Sequence, residues 1–406
     1  PGAIDAFRDP GASVVTFGAG GFINAGTGLV DIQIGPGAGL ANPQSGAITL
    51  GNITAGTINV LNAGFSSPVQ EVIIPAGITL NASGAGTAIT VIGSVFTNNG
   101  GPGAFNMTGG GRFLVYSNDY DVIERGGLVG NNLYNRGFQL NPPGSITQPG
   151  NLFIFFRQPI LTFTANNATR EYGLANPTFT AGFAGLVNGD SAAYAFAGNP
   201  ALSTTAFTSS SVGTYAINAA LGSLTSDVGY GFAFVPGTLT ITKALLTVTA
   251  DNATREYGLT NPNFTGSVTG FRDGDNPTVI SGLTFGTVAT TASPVGTYAI
   301  IGSGATATNY DFSYVPGTLT ITKALLTVTA NNATREYGLA NPAFTGTITG
   351  YRNGDTASVV SGLTYGSVAT IASDVGTYAI TGSGATATNY DFAYVPGTLT
   401  ITKALL

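Results

Sequence analysis

The second half of the chain is one β unit written three times. Leu246-Thr247-Val248-Thr249-Ala250 returns as Leu326-Thr327-Val328-Thr329-Ala330, 80 residues on, and about four-fifths of the aligned positions are identical. A more divergent copy starts at Leu161-Thr162-Phe163-Thr164 and closes on the same Pro236-Gly237-Thr238-Leu239-Thr240-Ile241-Thr242-Lys243. Copies joined without linkers multiply length and surface, whereas catalysis needs one unrepeated set of reactive groups. Repetition therefore predicts a structural rod of beads.

Composition narrows the chemistry further. Hydrophobic residues make up 43% and charged residues 8% of the chain, so it can bury cores and is expected to fold throughout. Its 13 basic and 19 acidic side chains leave a net charge of −6, which offers no cationic field to nucleic acid or anionic lipid. There is no Cys, His or Trp and one Met, Met107. Disulfides, thiolate or imidazole metal sites, and catalysis by a His base or Cys nucleophile are therefore excluded. The expectation is a protein that is not an enzyme and takes no cofactor. Lack of Cys also suits a surface protein that must avoid adventitious cross-links. No apolar run has the length of a membrane span, since the densest, Leu152-Phe153-Ile154-Phe155-Phe156, stops at Arg157. The sequence opens on Pro1 without a signal peptide, and Leu406 falls where a fourth copy would begin, so a piece of a longer polypeptide is expected.

The first half has a different texture. From about Ser13 to Phe105, short alternating runs such as Leu29-Val30-Asp31-Ile32-Gln33-Ile34, Thr57-Ile58-Asn59-Val60-Leu61 and Ala88-Ile89-Thr90-Val91-Ile92 are punctuated by Gly and Asn. None is long enough to hold a sheet alone, so they must stack. A parallel β-solenoid accounts for this, with Gly and Asn supplying left-handed corners. A Gly-rich β-sandwich is the alternative.

Val95-Phe96-Thr97-Asn98-Asn99-Gly100-Gly101, then Gly110-Gly111-Arg112-Phe113-Leu114-Val115-Tyr116-Ser117 and Gly126-Gly127-Leu128, resemble the end of the β-helical shaft in filamentous-haemagglutinin-type exoproteins of Gram-negative bacteria. That resemblance implies two-partner secretion through an outer-membrane transporter. The three copies, with Arg-Glu-Tyr-Gly at Arg170 to Gly173, Arg255 to Gly258 and Arg335 to Gly338 and with Gly-Thr-Leu-Thr-Ile at their ends, resemble MBG repeats of the Tyr-Gly type. Those repeats are common in large bacterial surface proteins and bring no known active residues.

The organisation expected is an all-β chain: a β-solenoid segment at 1–111, a cap or transition at 112–160, and β repeats at 161–245, 246–325 and 326–406, the last including the start of a fourth copy. Each repeat reads as an antiparallel domain, an Ig-like sandwich with a β-grasp-like arrangement as the alternative, because short alternating runs such as Thr398-Leu399-Thr400-Ile401 are separated by Gly, Asn and Asp turns. Asp374-Val375-Gly376-Thr377-Tyr378 has the spacing of a tyrosine corner, although Ser211 and Pro294 replace the acid in the other copies. At the junctions the apolar phase slips, odd in Leu319-Thr320-Ile321 and even in Leu326-Thr327-Val328, and the slip is placed at Ala324-Leu325-Leu326. A one-residue slip swaps faces, which lets one extended segment leave one core and enter the next. Lys243, Lys323 and Lys403, the only lysines, stand at these joints with the parity of the preceding inward face. They read as snorkelling side chains, as a junction salt bridge, or as partners in a Lys-to-Asn isopeptide bond, which intact mass would reveal as a lost ammonia.

Further candidates are weaker. Asp273-Gly274-Asp275 and its counterparts at Asn353-Gly354-Asp355 and Asn188-Gly189-Asp190 place Asp273, Asp275 and Asp355 where a calcium loop would begin, but the remaining ligands of such a loop are missing and a turn is the simpler reading. The sequons Asn52-Ile53-Thr54, Asn167-Ala168-Thr169, Asn252-Ala253-Thr254 and Asn332-Ala333-Thr334 are no more than this composition yields by chance. Tyr172, Tyr257 and Tyr337 are read as filling the core of their own copy, or else as stacking on glycans. Asp119, Asp121 and Glu124 are the one acid cluster a glycosidase would use, and read as a solvated cap. With lysine confined to the joints, the sheet edges carry few charges, which predicts self-association into fibres. The function expected is that of a structural or adhesive stalk on the bacterial outer surface or outside the cell, meeting a host or surface glycan or protein receptor, with a glycan-binding module as the alternative.

Overall fold

Strands of three to six residues leave too little paired backbone to be stable alone, and the chain answers by stacking each on the strand of the next turn. The computed structural model describes residues 4–5, 13–17, 20–34, 45–62 and 70–405, and these are all-β. Leu406, where a further copy is expected to open, lies outside the described residues. Two compact units are present: Pro1–Ala168, Thr178–Thr205 and Tyr215–Leu239 form one, and Thr169–Pro177, Ala206–Thr214 and Thr240–Leu406 form the other.

In the first unit, successive strands enter three sheets in rotation. Phe22–Asn24, Asn52–Ala55, Leu80–Ala82 and Phe105–Met107 build one sheet; Ser13–Thr16, Ser45–Thr49, Glu71–Ile74 and Val95–Asn98 build a second. A third, of seven strands, includes Leu29–Ile34, Thr57–Asn62, Thr87–Ile92, Arg112–Ser117 and Leu152–Phe155. The segment 112–160 thus supplies strands to the same sheet. Neighbouring strands are parallel, and their register sets like on like, with Ile32, Val60, Val91, Val115 and Phe153 in one column and Ile58, Ile89 and Phe113 in another. All are buried. Phenylalanine replaces aliphatic residues in the later turns, where the rings of Phe96, Phe105, Phe113 and Phe153 follow one another at 6.0, 5.1 and 5.3 Å.

The corners differ from expectation in one respect. Left-handed backbone in the described turns up to Arg112 falls to Gly, with Asn135 the first asparagine to adopt it, while the inward asparagines act through their side chains. Asn62 Nδ2 donates to Gly46 O and Glu71 O, and Asn98 Nδ2 donates to Gly101 O and Arg125 O. An inward amide at a strand end thereby serves carbonyls that the parallel ladder leaves unpaired. One corner is a column of glycines, with Gly56 N donating to Gly28 O at 2.8 Å and Gly84 N to Gly56 O at 2.7 Å. A Cβ on Gly84 would lie 2.5 Å from Gly56 O, so this corner closes only without a side chain.

The first repeat begins in this unit, where Ile160–Ala165 lies between Ala181–Ala184, antiparallel, and Gly231–Val235, parallel. The second unit holds the other two copies. In the second copy the strands are β1 (Ala244–Ala250), β2 (Ala253–Glu256), β3 (Gly266–Thr269), β4 (Thr284–Gly286), β5 (Gly296–Ser303), β6 (Tyr310–Val315) and β7 (Gly317–Thr322). They form two sheets, of order β3-β1-β6 and β2-β7-β5-β4, and the third copy repeats both. The purely antiparallel reading needs correction: β1 pairs with β6, and β2 with β7, in parallel. Hairpin logic sees only chain neighbours, whereas β1-β2 and β6-β7 are two nearly continuous stretches, broken at Asp251-Asn252 and Pro316, that meet from opposite ends of the copy. The side-chain amide oxygen of Asn252, first residue of a sequon, accepts from Thr318 N at 2.8 Å and so ties the two breaks together.

The tyrosine corner is present and needs no acid. Tyr298 OH donates to Pro294 O at 3.0 Å and Tyr378 OH to Asp374 O at 3.1 Å, so the partner is the main chain four residues back. The phase slip falls one step earlier than placed by sequence. Ile321 and Ala324 are both buried, which puts the slip at Thr322-Lys323 and leaves Lys323 outside the inward face its parity suggested.

Candidate functional site

The Arg-Glu-Tyr-Gly signatures of the first two copies divide their work between two copies. On β2, alternation turns Arg255 inward and Glu256 outward. Arg255 is buried with no carboxylate; Nε donates to Asn261 Oδ1 at 2.7 Å, Nη1 to Glu256 O at 3.1 Å and Nη2 to Thr290 O at 2.5 Å. Asn261 Nδ2 in turn donates to Ala289 O at 2.7 Å. Arg335 repeats this set with Asn341, Glu336 and Thr370, and Arg170 repeats it with Asn176, Glu171 and Phe207. The planar fork holds two loops in place and sets the angle at which the next two residues leave the copy.

Those two residues reach the following copy. Tyr257 lies edge-on to Tyr390, with centroids 5.5 Å apart and planes at 82°, and both hydroxyls donate to Asp355 Oδ2, at 3.1 and 2.7 Å. Glu256 Oε2 meets Arg352 Nη2 at 2.6 Å. Asn353 Nδ2 donates to Thr291 O at 2.6 Å, and Asn389 Oδ1 accepts from Val295 N at 3.0 Å. Gly258 has φ 79°, and a Cβ there would collide with Arg352 Cβ. The joint before it repeats the pattern: Tyr172 lies edge-on to Tyr310 at 5.4 Å and 80°, Tyr310 OH donates to Asp275 Oδ2 at 2.7 Å, Arg272 meets Glu171 at 2.7 Å, and Asn309 Oδ1 accepts from Val212 N at 3.1 Å. Burial, reinforced by the aspartate each one faces, pushes the Tyr310 and Tyr390 hydroxyls up to about 12. The reading in which Tyr172 and Tyr257 fill their own copy is thereby corrected. A 5% exposure also removes both from the reach of a sugar.

A third joint of the same chemistry lies within the first unit. Tyr134 stands edge-on to Tyr230, with centroids at 4.9 Å and planes at 69°, and both hydroxyls donate to Asp190 Oδ2, at 2.7 and 2.8 Å. Burial pushes the Tyr134 hydroxyl far up, and Asp190 adds to it. Val187 stands where the later copies have Arg272 and Arg352, and the ion pair is replaced by Asn132 Nδ2 donating to Asp190 Oδ1 at 2.6 Å. Asn135, with φ 55°, follows Tyr134 as Gly follows the other two tyrosines.

The calcium-loop residues are thus parts of joints. Asp275 and Asp355 carry the tyrosine hydroxyls, and Asp273, at φ 54°, occupies the left-handed turn position held by Asn188 and Asn353 in the other copies. Among the described residues no three acidic side chains gather as a metal would require. Lys243 Nζ lies 3.3 Å from Asp311 and Lys323 Nζ 3.4 Å from Asp391, all on the surface, and Lys403 is exposed. Asp119 and Asp121 share Arg157, at 2.9 and 2.6 Å, and Glu124 is exposed. Arg272, Arg352, Tyr230, Tyr310 and Tyr390 were not singled out by sequence, and Asp190, Glu171 and Glu256 were read only as members of their turn and Arg-Glu-Tyr-Gly motifs. The signal was there in the joint recurrence of a turn ending in Gly-Asp and a Tyr 40 residues later in the first copy and 35 later in the other two.

Residues 161–240, 246–320 and 326–400 each match the MBG domain of the YGX type, and together these spans make up more than half of the chain. The chain belongs to the MBG domain family. The Tyr-Gly pair of each MBG module is the half of the joint described above. No curated protein matches the sequence. Among solved structures the chain is similar to Drosophila N-cadherin EC1-4, with 9% identity over 62% of this chain and 78% of that one at a TM-score of 0.22. It is also similar to the three amino-terminal domains of the Hoc protein of bacteriophage RB49, with 11% identity over 61% and 100% at 0.21, and to Bacteroides ovatus SGBP-B in complex with a mixed-linkage heptasaccharide, with 14% identity over 50% and 57% at 0.13. Scores of this size carry neither fold nor function across. No helix among the described residues is long and apolar enough to cross a membrane.

Proposed function

We propose that this chain is a structural, adhesive repeat protein of the bacterial outer surface or extracellular space, in which MBG modules of Ig-like sandwich type form a jointed stalk. The observation that carries this reading is the Tyr-Asp-Tyr joint, met three times in succession, because a repeated interface transmits position and load while no unrepeated reactive site is needed. The rotation of strands through three parallel sheets supports reading 1–111 as a parallel β-solenoid, with 112–160 adding its last strands and closing it. That architecture, followed by MBG modules, favours the resemblance to filamentous-haemagglutinin-type exoproteins, with export through an outer-membrane partner. Sparsely charged sheet edges support lateral self-association into fibres. The proposed role includes no turnover and no cofactor.

Solution X-ray scattering of the full chain tests the stalk. An extended particle of constant cross-section is expected, turning into a flexible string of beads when Asp275→Ala and Asp355→Ala are combined. A compact particle, or a profile indifferent to both substitutions, removes the stalk reading.

A further inference from the structure

The outer face of the seven-stranded sheet is covered over its later strands and open over its earlier ones. Leu114 and Tyr116 alternate with the inward Val115 and so face outward, yet both are buried. Residues 136–148 lie over them: Tyr116 stands edge-on to Phe138 at 5.7 Å, its hydroxyl donates to Asn141 O at 2.9 Å, and Arg112 Nη2 donates to Ile146 O at 2.7 Å. Beside this cover open two cavities, of about 300 and 400 Å³, which share Ile92 and Phe138. Asp31, Gln33, Asn59 and Thr90, from three neighbouring parallel strands, floor the larger. The smaller lies where strands end, at Asn62, Ile92 and Ser117, and Phe156 walls it. Phe156 is 61% exposed, and its ring is backed by Gly137, where a Cβ would lie 2.9 Å from Cδ2. Three polar atoms of these walls are buried with no hydrogen-bond partner among the described residues: Asn62 Oδ1 and Arg136 Nε in the smaller cavity, and Asp31 Oδ1 in the larger. Asn62 is held by Gly46 O and Glu71 O, and Arg136 by Asp227 O at 2.9 Å, so the unmet groups stay in place. Native folds keep few such atoms, and each calls for a partner that the chain does not supply.

We propose that the two cavities form one groove for a neutral oligosaccharide. One sugar ring stacks on Phe156 with its hydroxyls among the amides of Asn62, Gln70 and Asn118, and further units run past Phe138 over Asn59 and Thr90. A sugar hydroxyl both donates and accepts, as the unmet groups require, and the C–H face of the ring suits an exposed aromatic. Thr57–Asn62 and Thr87–Ile92 are each paired along both edges, so a ligand meets side chains only and no peptide can add here as a strand. Of the described residues that line the groove, Arg136 and Asp31 alone are charged, one of each sign, and the chain carries a net −6. That balance offers an anionic polysaccharide no attraction. The assignment goes beyond the stalk reading, because none of these side chains belongs to a Tyr-Asp-Tyr joint.

The test is binding of the labelled full chain to an array of gluco-, galacto- and manno-configured oligosaccharides, heparin fragments and uncharged peptides, followed by saturation-transfer NMR on the sugars retained. At least one neutral series binds saturably and gains affinity from disaccharide to tetrasaccharide. Phe156→Ala, at an exposed position, weakens that binding about tenfold or more while thermal unfolding is unchanged. Asn59→Ala removes the gain with length and leaves the disaccharide bound. No saturable binding of any neutral series at millimolar sugar, retention of heparin or peptides alone, or binding indifferent to Phe156→Ala overturns the groove. Asp275→Ala combined with Asp355→Ala, which loosens the stalk, leaves sugar binding unchanged, so failure of the stalk reading and failure of the groove are told apart. Sugar binding lost with those two substitutions overturns the groove as a site of its own.

Discussion

Arg255 shows how one buried cation can be structural without an anion. Its guanidinium spends three donors on two carbonyls and one amide oxygen, all within its own module. Arg255→Ala leaves these partly buried acceptors without their donor and a cavity where the guanidinium lay, so the module should lose about 1–3 kcal/mol in denaturant unfolding. Arg255→Lys should recover little of this, since a point charge cannot reproduce the fork. Asp355 poses the complementary case, one carboxylate oxygen serving two hydroxyls. Asp355→Ala should cost about 2–4 kcal/mol at the joint, read as lost hydrogen-exchange protection around Tyr390. The same tyrosines set a pH limit. Tyr310 and Tyr390 are raised from 10.0 to about 12, so the folded state holds their protons more tightly than the unfolded chain. Their contribution is fully present below pH 10 and is lost as pH climbs from 10 toward 12. Thermal melts should therefore fall between about pH 9 and about pH 11, and Tyr390→Phe should flatten that fall.

At the scale of elements, alternation made the strands legible and concealed the contacts between copies. Thr398-Leu399-Thr400-Ile401 reads as a strand because every second residue is apolar, and the structure extends it by one residue at each end. Tyr257 and Asp355, by contrast, are 98 residues apart, and Glu256 and Arg352 are 96 apart. Those separations exceed the 80-residue period, so each pair spans two copies and leaves no local pattern. Parallel pairing of β1 with β6 escaped because its register partners, such as Leu246 and Phe312, lie far apart within one copy and form no hairpin. The amino-terminal strands were legible in their short alternating runs, while the column Gly28, Gly56 and Gly84 was overlooked among many other glycines. Gly84→Ala sets a methyl against Gly56 O and should destabilise the amino-terminal sheets by about 1–3 kcal/mol in thermal unfolding, while Gly103→Ala, which meets open space, should leave them unchanged.

For the molecule as a whole, the repeats matter through the joints that couple them. Calorimetry should resolve a shared transition for the second and third modules, and Asp355→Ala should split it into separate ones. The amino-terminal sheets join the series by the same means, since Tyr134 and Asn135 stand in for Tyr-Gly ahead of the first module. Every MBG module therefore carries the turn that receives its predecessor and the signature that receives its successor. Inserting or excising a whole module between the second and third copies would leave the Tyr-Asp-Tyr and Arg-Glu contacts between the modules complete. The number of modules can thus change with no interface having to be reinvented.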